Sequence, residues 1–227
     1  MSNKTNRHEL NYTINPVLYY IPNLIGYTRI LLTIISFTLC WTRPVQSMIY
    51  YAASQVLDAL DGTAARYYKQ TSKFGAVLDM LTDRMSTGVL FIVLSHLYPS
   101  QWGIFTALLV LDLVSHWYQM YAKLSSGATT HKGSDNKILN FYYTFPYALL
   151  VHVVGNEGFF ISLYILSFSY NVLPAWLMYT AKLSALICAP IATAKQVMNV
   201  IQLWDSVRIL VEQDYKASLT QTRDKIG

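Results

Sequence analysis

Four aspartates and one arginine stand within or beside strongly apolar sequence between Asp58 and Asp83. The stretch reads D-A-L-D-G-T-A-A-R, eight residues, then G-A-V-L-D-M-L-T-D. Charges in such surroundings are costly and usually functional. Asp58, Asp61, Gly62, Ala65 and Arg66 recur at i, i+3, i+4, i+7 and i+8, so they share one face of a helix. Gly75, Asp79 and Asp83 recur at i, i+4 and i+8, one face of a second. The link between them, Tyr67 to Phe74, is short and polar, so the spacing predicts antiparallel neighbours that aim four carboxylates at one point. Four like charges cannot share a dry site unless they take up protons or cations. All-oxygen donors suit Mg²⁺, Mn²⁺ or Ca²⁺. Four carboxylates suffice for a two-ion site of the kind that clamps phosphate oxygens. Purely structural ion pairing is the plainer reading, but Arg66 cannot balance four carboxylates.

The elements that position these residues are apolar helices. The chain has 227 residues, 53% hydrophobic and 13% charged, with a mean hydropathy of +0.29. That charged share is about half the usual one, which excludes an ordinary soluble domain and points to a polytopic membrane protein. One domain over residues 1–227 fits the length. The pattern predicts an all-α protein with six transmembrane helices: about Pro22 to Trp41, Pro44 to Lys69, Gly75 to Tyr98, Trp102 to Leu124, Phe141 to Phe168 and Pro174 to Leu203. Asn156, Glu157 and Gly158 interrupt the fifth. Residues 1–13 read as a flexible N-terminus, residues 14–21 as a short interfacial segment, and residues 204–227 as a charged cytosolic tail helix. Arg29, about two turns inside the first span, is expected to snorkel back to its own side. Cys40 and Cys188 lie in apolar segments and read as small core residues, with no disulfide framework. The polar start, residues 1–13, lacks the pattern of a cleavable signal peptide.

The net charge of +5 is concentrated at segment ends. It fits a basic face toward anionic headgroups or an anionic nucleotide substrate better than nucleic acid. Six spans place both termini on one side. That side carries Lys4, Arg7, Lys69, Lys73, Lys132, Lys137, Arg208, Lys216, Arg223 and Lys225, whereas the opposite loops carry little beyond Arg43. Positive charge marks the cytosolic side. The aspartates close the second span and open the third, so their site is expected to face the cytosol.

The pattern D-x-x-D-G-x-x-A-R-x8-G-x3-D-x3-D resembles the signature of the CDP-alcohol phosphotransferases at every fixed position: Asp58, Asp61, Gly62, Ala65, Arg66, Gly75, Asp79 and Asp83. Flanking text is similar to the eukaryotic, inositol-using branch of that family. It comprises Y-I-P-N-L-I-G-Y-T-R (20–29), L-D-M-L-T-D-R (78–84), L-D-L-V-S-H-W (111–117), Thr130-His131-Lys132, F-Y-Y-T (141–144) and G-N-E (155–157). The resemblance implies an endoplasmic-reticulum membrane transferase. Its donor would be CDP-diacylglycerol, its acceptor myo-inositol and its cofactor two Mg²⁺ or Mn²⁺ ions, with a homodimer among the assemblies it allows. It implies metal roles for Asp58, Asp61, Asp79 and Asp83, with Asp83 also the base that takes the alcohol proton. It implies CDP-lipid contacts at Pro22, Asn23, Leu24, Ile25, Gly62, Arg66, Ser72 and Gly75.

Other readings stay open at several of these positions. Asn23 is equally a helix cap, and Ser72 an ordinary loop serine. Gly62 and Gly75 each cost their helix about 1 kcal/mol relative to alanine, which close approach of a ligand would justify. Asp112, Ser115 and His116 on the fourth span, with His131 and Lys132 in the following loop, are candidates either for contacting the acceptor or for structural hydrogen bonding and solvation. His116, His131 and Lys132 are taken as the acceptor-binding candidates. Asn156 and Glu157 read as polar anchors within the bundle. One departure bears on the acceptor: where relatives carry an arginine soon after paired tyrosines, Tyr142-Tyr143-Thr144 runs here into Phe145-Pro146. The nearest rival function is a family transferase using glycerol phosphate, serine, choline or ethanolamine. A prenyltransferase would space its aspartate motifs farther apart. A transporter with intramembrane carboxylates would need no nucleotide.

Overall fold

The computed structural model describes residues 16–125, 137–145, 147–169 and 172–226. Among these the regular structure is entirely helical. A 3₁₀ turn at Pro16–Tyr19 leads into α1 (Ile21–Leu39). There follow α2 (Pro44–Tyr67), α3 (Lys73–Leu97), a 3₁₀ turn at Pro99–Gln101, α4 (Trp102–Ser125), α5 (Lys137–Thr144), α6 (Ala148–Leu166) and α7 (Ala175–Ile226). Among the described residues three helices are long and apolar enough to cross a membrane, within Ile21–Leu39, Ala148–Leu166 and Ala175–Leu219.

The bundle is inside-out relative to a soluble protein. Leu186, Trp204 and Trp117 are exposed on its outside, while Arg29, Asn23, Ser36, Ser54, Ser115, Asp112 and Asn199 are buried. Apolar flanks around a polar interior suit lipid as the solvent, and the chain is a membrane protein.

Small polar residues let the first helices approach. On α1 the buried face is Pro22, Asn23, Gly26, Arg29, Thr33 and Ser36. It meets Ser47, Tyr51, Ser54 and Asp61 of α2. Ser36 Oγ donates to the Ser47 carbonyl at 2.8 Å, Thr33 Oγ1 and Ser54 Oγ lie 3.0 Å apart, and Ser54 Oγ donates to the Arg29 carbonyl at 3.2 Å. Short hydroxyl side chains of this kind join helices where lipid offers no hydrophobic drive. α3 is central: it packs on α1, α4 and α6, while α7 packs on α4 and α6. The apolar core gathers Cys40, Tyr51, Leu90, Phe91, Leu94, Phe105, Phe160 and Tyr164. It sits at the end where α1 and α3 finish.

At the opposite end α2 closes and α3 opens. The helix pair is joined by residues 68–72. Lys69 is left-handed (φ 54°), with Gln70 N–H donating to the Ala65 carbonyl and Lys69 N–H to that of Arg66. This is a Schellman termination with lysine where glycine is usual. Gln70 Oε1 accepts from Ile21 N–H at 2.9 Å, tying this turn to the start of α1.

One expectation changes. The fifth span breaks at residues 145–147, not at Asn156–Gly158. A proline at 146 disfavours helical backbone at Phe145, and Tyr147 takes a left-handed conformation (φ 68°) before α6 begins. Asn156, Glu157 and Gly158 stay inside α6 because their polar groups are met. Gln196 donates to Asn156 Oδ1 at 2.9 Å, and Tyr51 and Thr87 donate to Glu157 at 2.6 and 2.9 Å. The anchoring read from the sequence for Asn156 and Glu157 is what these bonds do. The last span continues into the expected tail helix: α7 runs 52 residues through Pro190 without a break.

Candidate active site

Asp58 and Asp61 lie about nine and six residues before the end of α2, and Asp79 and Asp83 about six and ten residues into α3. At 1.5 Å per residue all four sit roughly 10–15 Å from the same end of the bundle. Their common partner is Arg29. Its Nη1 lies 2.7 Å from Asp61 Oδ2 and 3.0 Å from Asp79 Oδ1, and its Nη2 lies 2.5 Å from both Asp58 Oδ1 and Asp83 Oδ1. Arg29 is 0% exposed, so it does not snorkel. The attraction of four carboxylates exceeds what withdrawal to the interface offers. The side chains of Asp58, Asp79 and Asp83 remain 28%, 42% and 29% exposed, whereas Asp61 is at 9%. The centre therefore has a floor at Asp61 and an opening at Asp79.

One guanidinium against four carboxylates leaves a deficit of three positive charges. Carboxylate oxygens of Asp58, Asp61 and Asp79 can all lie within 4.8 Å of one another. Hard oxygen donors, close spacing and negative excess fit a divalent cation of the Mg²⁺ or Mn²⁺ kind. Asp83 is outside that trio but lies against Asp58, sharing Arg29 Nη2 with it. It also lies 3.7 Å from Arg84 Nη2.

Arg84 opens a second buried polar centre with the opposite balance. Its Nη1 donates to both oxygens of Asp112, at 2.8 and 2.9 Å. Lys195 Nζ donates to Asp112 Oδ1 at 2.8 Å and to Asn199 Oδ1 at 3.0 Å, and Asn199 Nδ2 donates to Asp112 at 3.3 Å. Two cations thus surround one carboxylate, joining α3, α4 and α7. His116 Nδ1 bonds the Asp112 carbonyl at 2.8 Å, and Ser115 Oγ donates to the same carbonyl at 3.1 Å. Both residues therefore border this second centre. Arg29, Arg84, Lys195 and Asn199 were missed as site residues in the sequence. Arg29 and Arg84 stood in the quoted flanking stretches, whereas nothing local marked Lys195 and Asn199.

The remaining candidates line the start of α1 and the α2–α3 turn. Asn23 is no cap: buried, it donates from Nδ2 to the Val17 carbonyl at 2.6 Å. An alanine Cβ at Gly75 would lie 2.8 Å from Asn23 Oδ1 and 3.1 Å from Ser72 Oγ. Close packing of α3 on α1 is thus a sufficient reason for that glycine. Ser72 caps α3, accepting from Gly75 N–H at 2.9 Å. Gly62 is less constrained, its nearest such contact being Arg66 Nη1 at 3.5 Å. Arg66 is exposed, with its guanidinium beside Thr63 Oγ1. Pro22 is buried, Ile25 half-buried and Leu24 exposed on the first turns of α1. His131 and Lys132 lie outside the described residues.

Known proteins share this arrangement of sequence. The pattern of the CDP-alcohol phosphatidyltransferase family matches residues 19–207. A protein of Schizosaccharomyces pombe named CDP-diacylglycerol–inositol 3-phosphatidyltransferase is 39% identical over 216 residues, covering 87% of this chain and 91% of its own. Proteins of the same name from Saccharomyces cerevisiae and Homo sapiens are 41% and 38% identical, covering 90% and 87% of this chain and 91% and 94% of theirs. No solved structure matches the chain.

Proposed function

The chain belongs to the CDP-alcohol phosphatidyltransferase family, and on that premise we propose that it is a phosphatidylinositol synthase. The reaction joins a myo-inositol hydroxyl oxygen to the β-phosphorus of CDP-diacylglycerol. The bond from that phosphorus to the bridging oxygen breaks, and CMP leaves with it. The observation that carries the reading is the convergence of Asp58, Asp61, Asp79 and Asp83 from two helices on one point. The names of the three relatives supply the donor and acceptor.

Asp58, Asp61, Asp79 and Asp83 would hold two divalent ions, Mg²⁺ or Mn²⁺. When bound, such ions neutralise diphosphate oxygens and stabilise the leaving phosphate. Asp83 takes the proton of the attacking hydroxyl. The family resemblance gives it this second role; it shares Arg29 Nη2 with Asp58, and its other oxygen faces Arg84. Arg66, Gly62, Ser72, Gly75 and the segment Pro22 to Ile25 line the rim at which the nucleotide enters. The acceptor approaches past His116, whose ring borders the Asp112 network on α4. His131 and Lys132 remain candidates for its entry path.

Six spans are proposed: α1, α2, α3, α4, α6 and α7 in a single domain. α2, α3 and α4 have 24, 25 and 24 residues, long enough to cross a core about 30 Å thick. Their charged interiors lower the hydropathy that would otherwise mark them. The aspartates and both termini face the cytosol, in the endoplasmic reticulum.

The test is acceptor choice. Purified protein is given CDP-diacylglycerol with labelled myo-inositol, glycerol phosphate, serine, choline or ethanolamine. Label should enter lipid from inositol with equal release of CMP. Transfer to another alcohol and none to inositol would move the chain elsewhere in the family.

A further inference from the structure

We propose that Arg29 is the resident counter-cation of the acidic centre: it holds the four carboxylates in register before divalent metal arrives, and metal loading displaces its guanidinium from them. The proposal rests on the reading of that centre as a divalent-metal site.

The geometry is specific. α1 contributes no acid to the centre, only this cation. Nη1 bridges Asp61 of α2 to Asp79 of α3, and Nη2 bridges Asp58 of α2 to Asp83 of α3. Each terminal nitrogen thus makes the helix-to-helix link that an ion shared by those carboxylates would make. A guanidinium cannot lose its charge and has no lone pair for a metal, so it and an ion compete for the same oxygens as like charges. Without Arg29, only Asp83, 3.7 Å from Arg84 Nη2, would keep a cation nearby among the described residues, and α2 and α3 would repel where they must converge. The residue therefore supports the empty centre and opposes its filling.

One further observation favours displacement over permanent residence. Arg84 has its cationic charge met differently: with Lys195 it holds Asp112 at 2.8 Å, and Asp83 lies 3.7 Å away on its other side. That centre is complete without an ion. Only the Arg29 centre carries a negative excess for metal to fill.

The test compares wild type with Arg29→Gln and Arg29→Lys, all purified in detergent with Mn²⁺ present. Mn²⁺ affinity is read from the electron paramagnetic resonance of free ion, and thermal unfolding is followed with and without EDTA. Arg29→Gln should bind Mn²⁺ more tightly than wild type by about tenfold or more, the effect of removing one adjacent like charge. Arg29→Lys, which keeps the charge, should stay near wild type. Chelation should lower the unfolding temperature of Arg29→Gln far more than that of wild type, and unfolding in EDTA that Mn²⁺ reverses is the same result in its strongest form. Equal or weaker Mn²⁺ binding by Arg29→Gln would overturn the proposal, as would failure of that variant to fold even in saturating Mn²⁺. If wild type itself bound no Mn²⁺, the metal reading would fall and this inference with it. If wild type bound and Arg29→Gln bound no tighter, only this inference would fall.

Discussion

Arg84 and Asp112 form a two-oxygen, single-nitrogen ion pair, Nη1 lying 2.8 and 2.9 Å from the two carboxylate oxygens. The pair locks α3 to α4 one residue beyond Asp83. Asp112 also accepts from Lys195, and among the described residues it is the only carboxylate within 3.5 Å of either cation. Asp112→Asn would leave two buried cations without their counter-ion. Breaking such a pair from one side costs about 3–5 kcal/mol. The variant should unfold at a markedly lower temperature in detergent, whereas Asp112→Glu should recover part of the loss. An unchanged unfolding temperature for Asp112→Asn would mean that the network is not structural.

Asp83→Asn separates proton transfer from donor binding. The amide keeps the size of the side chain and can still offer an oxygen to a metal, but cannot take a proton. Transfer to inositol should fall by at least about 10²-fold, the low end for a positioned base, with CDP-diacylglycerol binding weakened far less. Asp58→Asn and Asp79→Asn should weaken the metal-dependent binding of that lipid itself. If Asp83→Asn lost lipid binding as badly as Asp79→Asn, or turned over normally, the base would have to be sought at His116.

Gly155 reports on how tightly α6 meets α7. A Cβ there would stand 2.4 Å from Ile191 Cγ2, a branched side chain next to Pro190 that cannot swing clear. Gly155→Ala should destabilise by about 1–3 kcal/mol, the usual cost of overpacking, and Ile191→Ala in the same chain should relieve much of it. Differential scanning fluorimetry of the single and double variants measures both. Additive losses would show that the two sites do not press on one another.

Orientation is testable from outside. A cysteine placed within residues 126–136 of a Cys40→Ala, Cys188→Ala background should react with an impermeant maleimide from the cytosolic side of sealed microsomes. Reaction only after permeabilisation would reverse the topology drawn from the lysine and arginine distribution.

The acidic centre was legible because helical periodicity alone puts Asp58 with Asp61 and Asp79 with Asp83, and a short link makes the two faces meet. Helix boundaries followed from proline and polar turns, to within a few residues in α1 to α4. Arg29 was misjudged because an isolated arginine in an apolar run has a cheap escape to the interface; only the convergence of four carboxylates 29 to 54 residues away in sequence makes burial favourable. Lys195 and Asn199 were invisible for the same reason, since their partner Asp112 lies 83 and 87 residues away. The break after Phe145 was missed because two polar residues and a glycine at Asn156–Gly158 looked the weaker point. Their partners lie on α2, α3 and α7, which no local pattern shows.

The central claim is that this acidic centre performs metal-dependent transfer of a phosphatidyl group to inositol. The most direct measurement is turnover of CDP-diacylglycerol and labelled myo-inositol by the purified protein, first in EDTA and then with Mg²⁺ or Mn²⁺ added back. The account predicts no labelled lipid and no CMP in chelator, and equal amounts of both once metal is restored, because one guanidinium cannot neutralise four carboxylates and a diphosphate together. Full turnover in chelator, or CMP release that metal does not control, would contradict it.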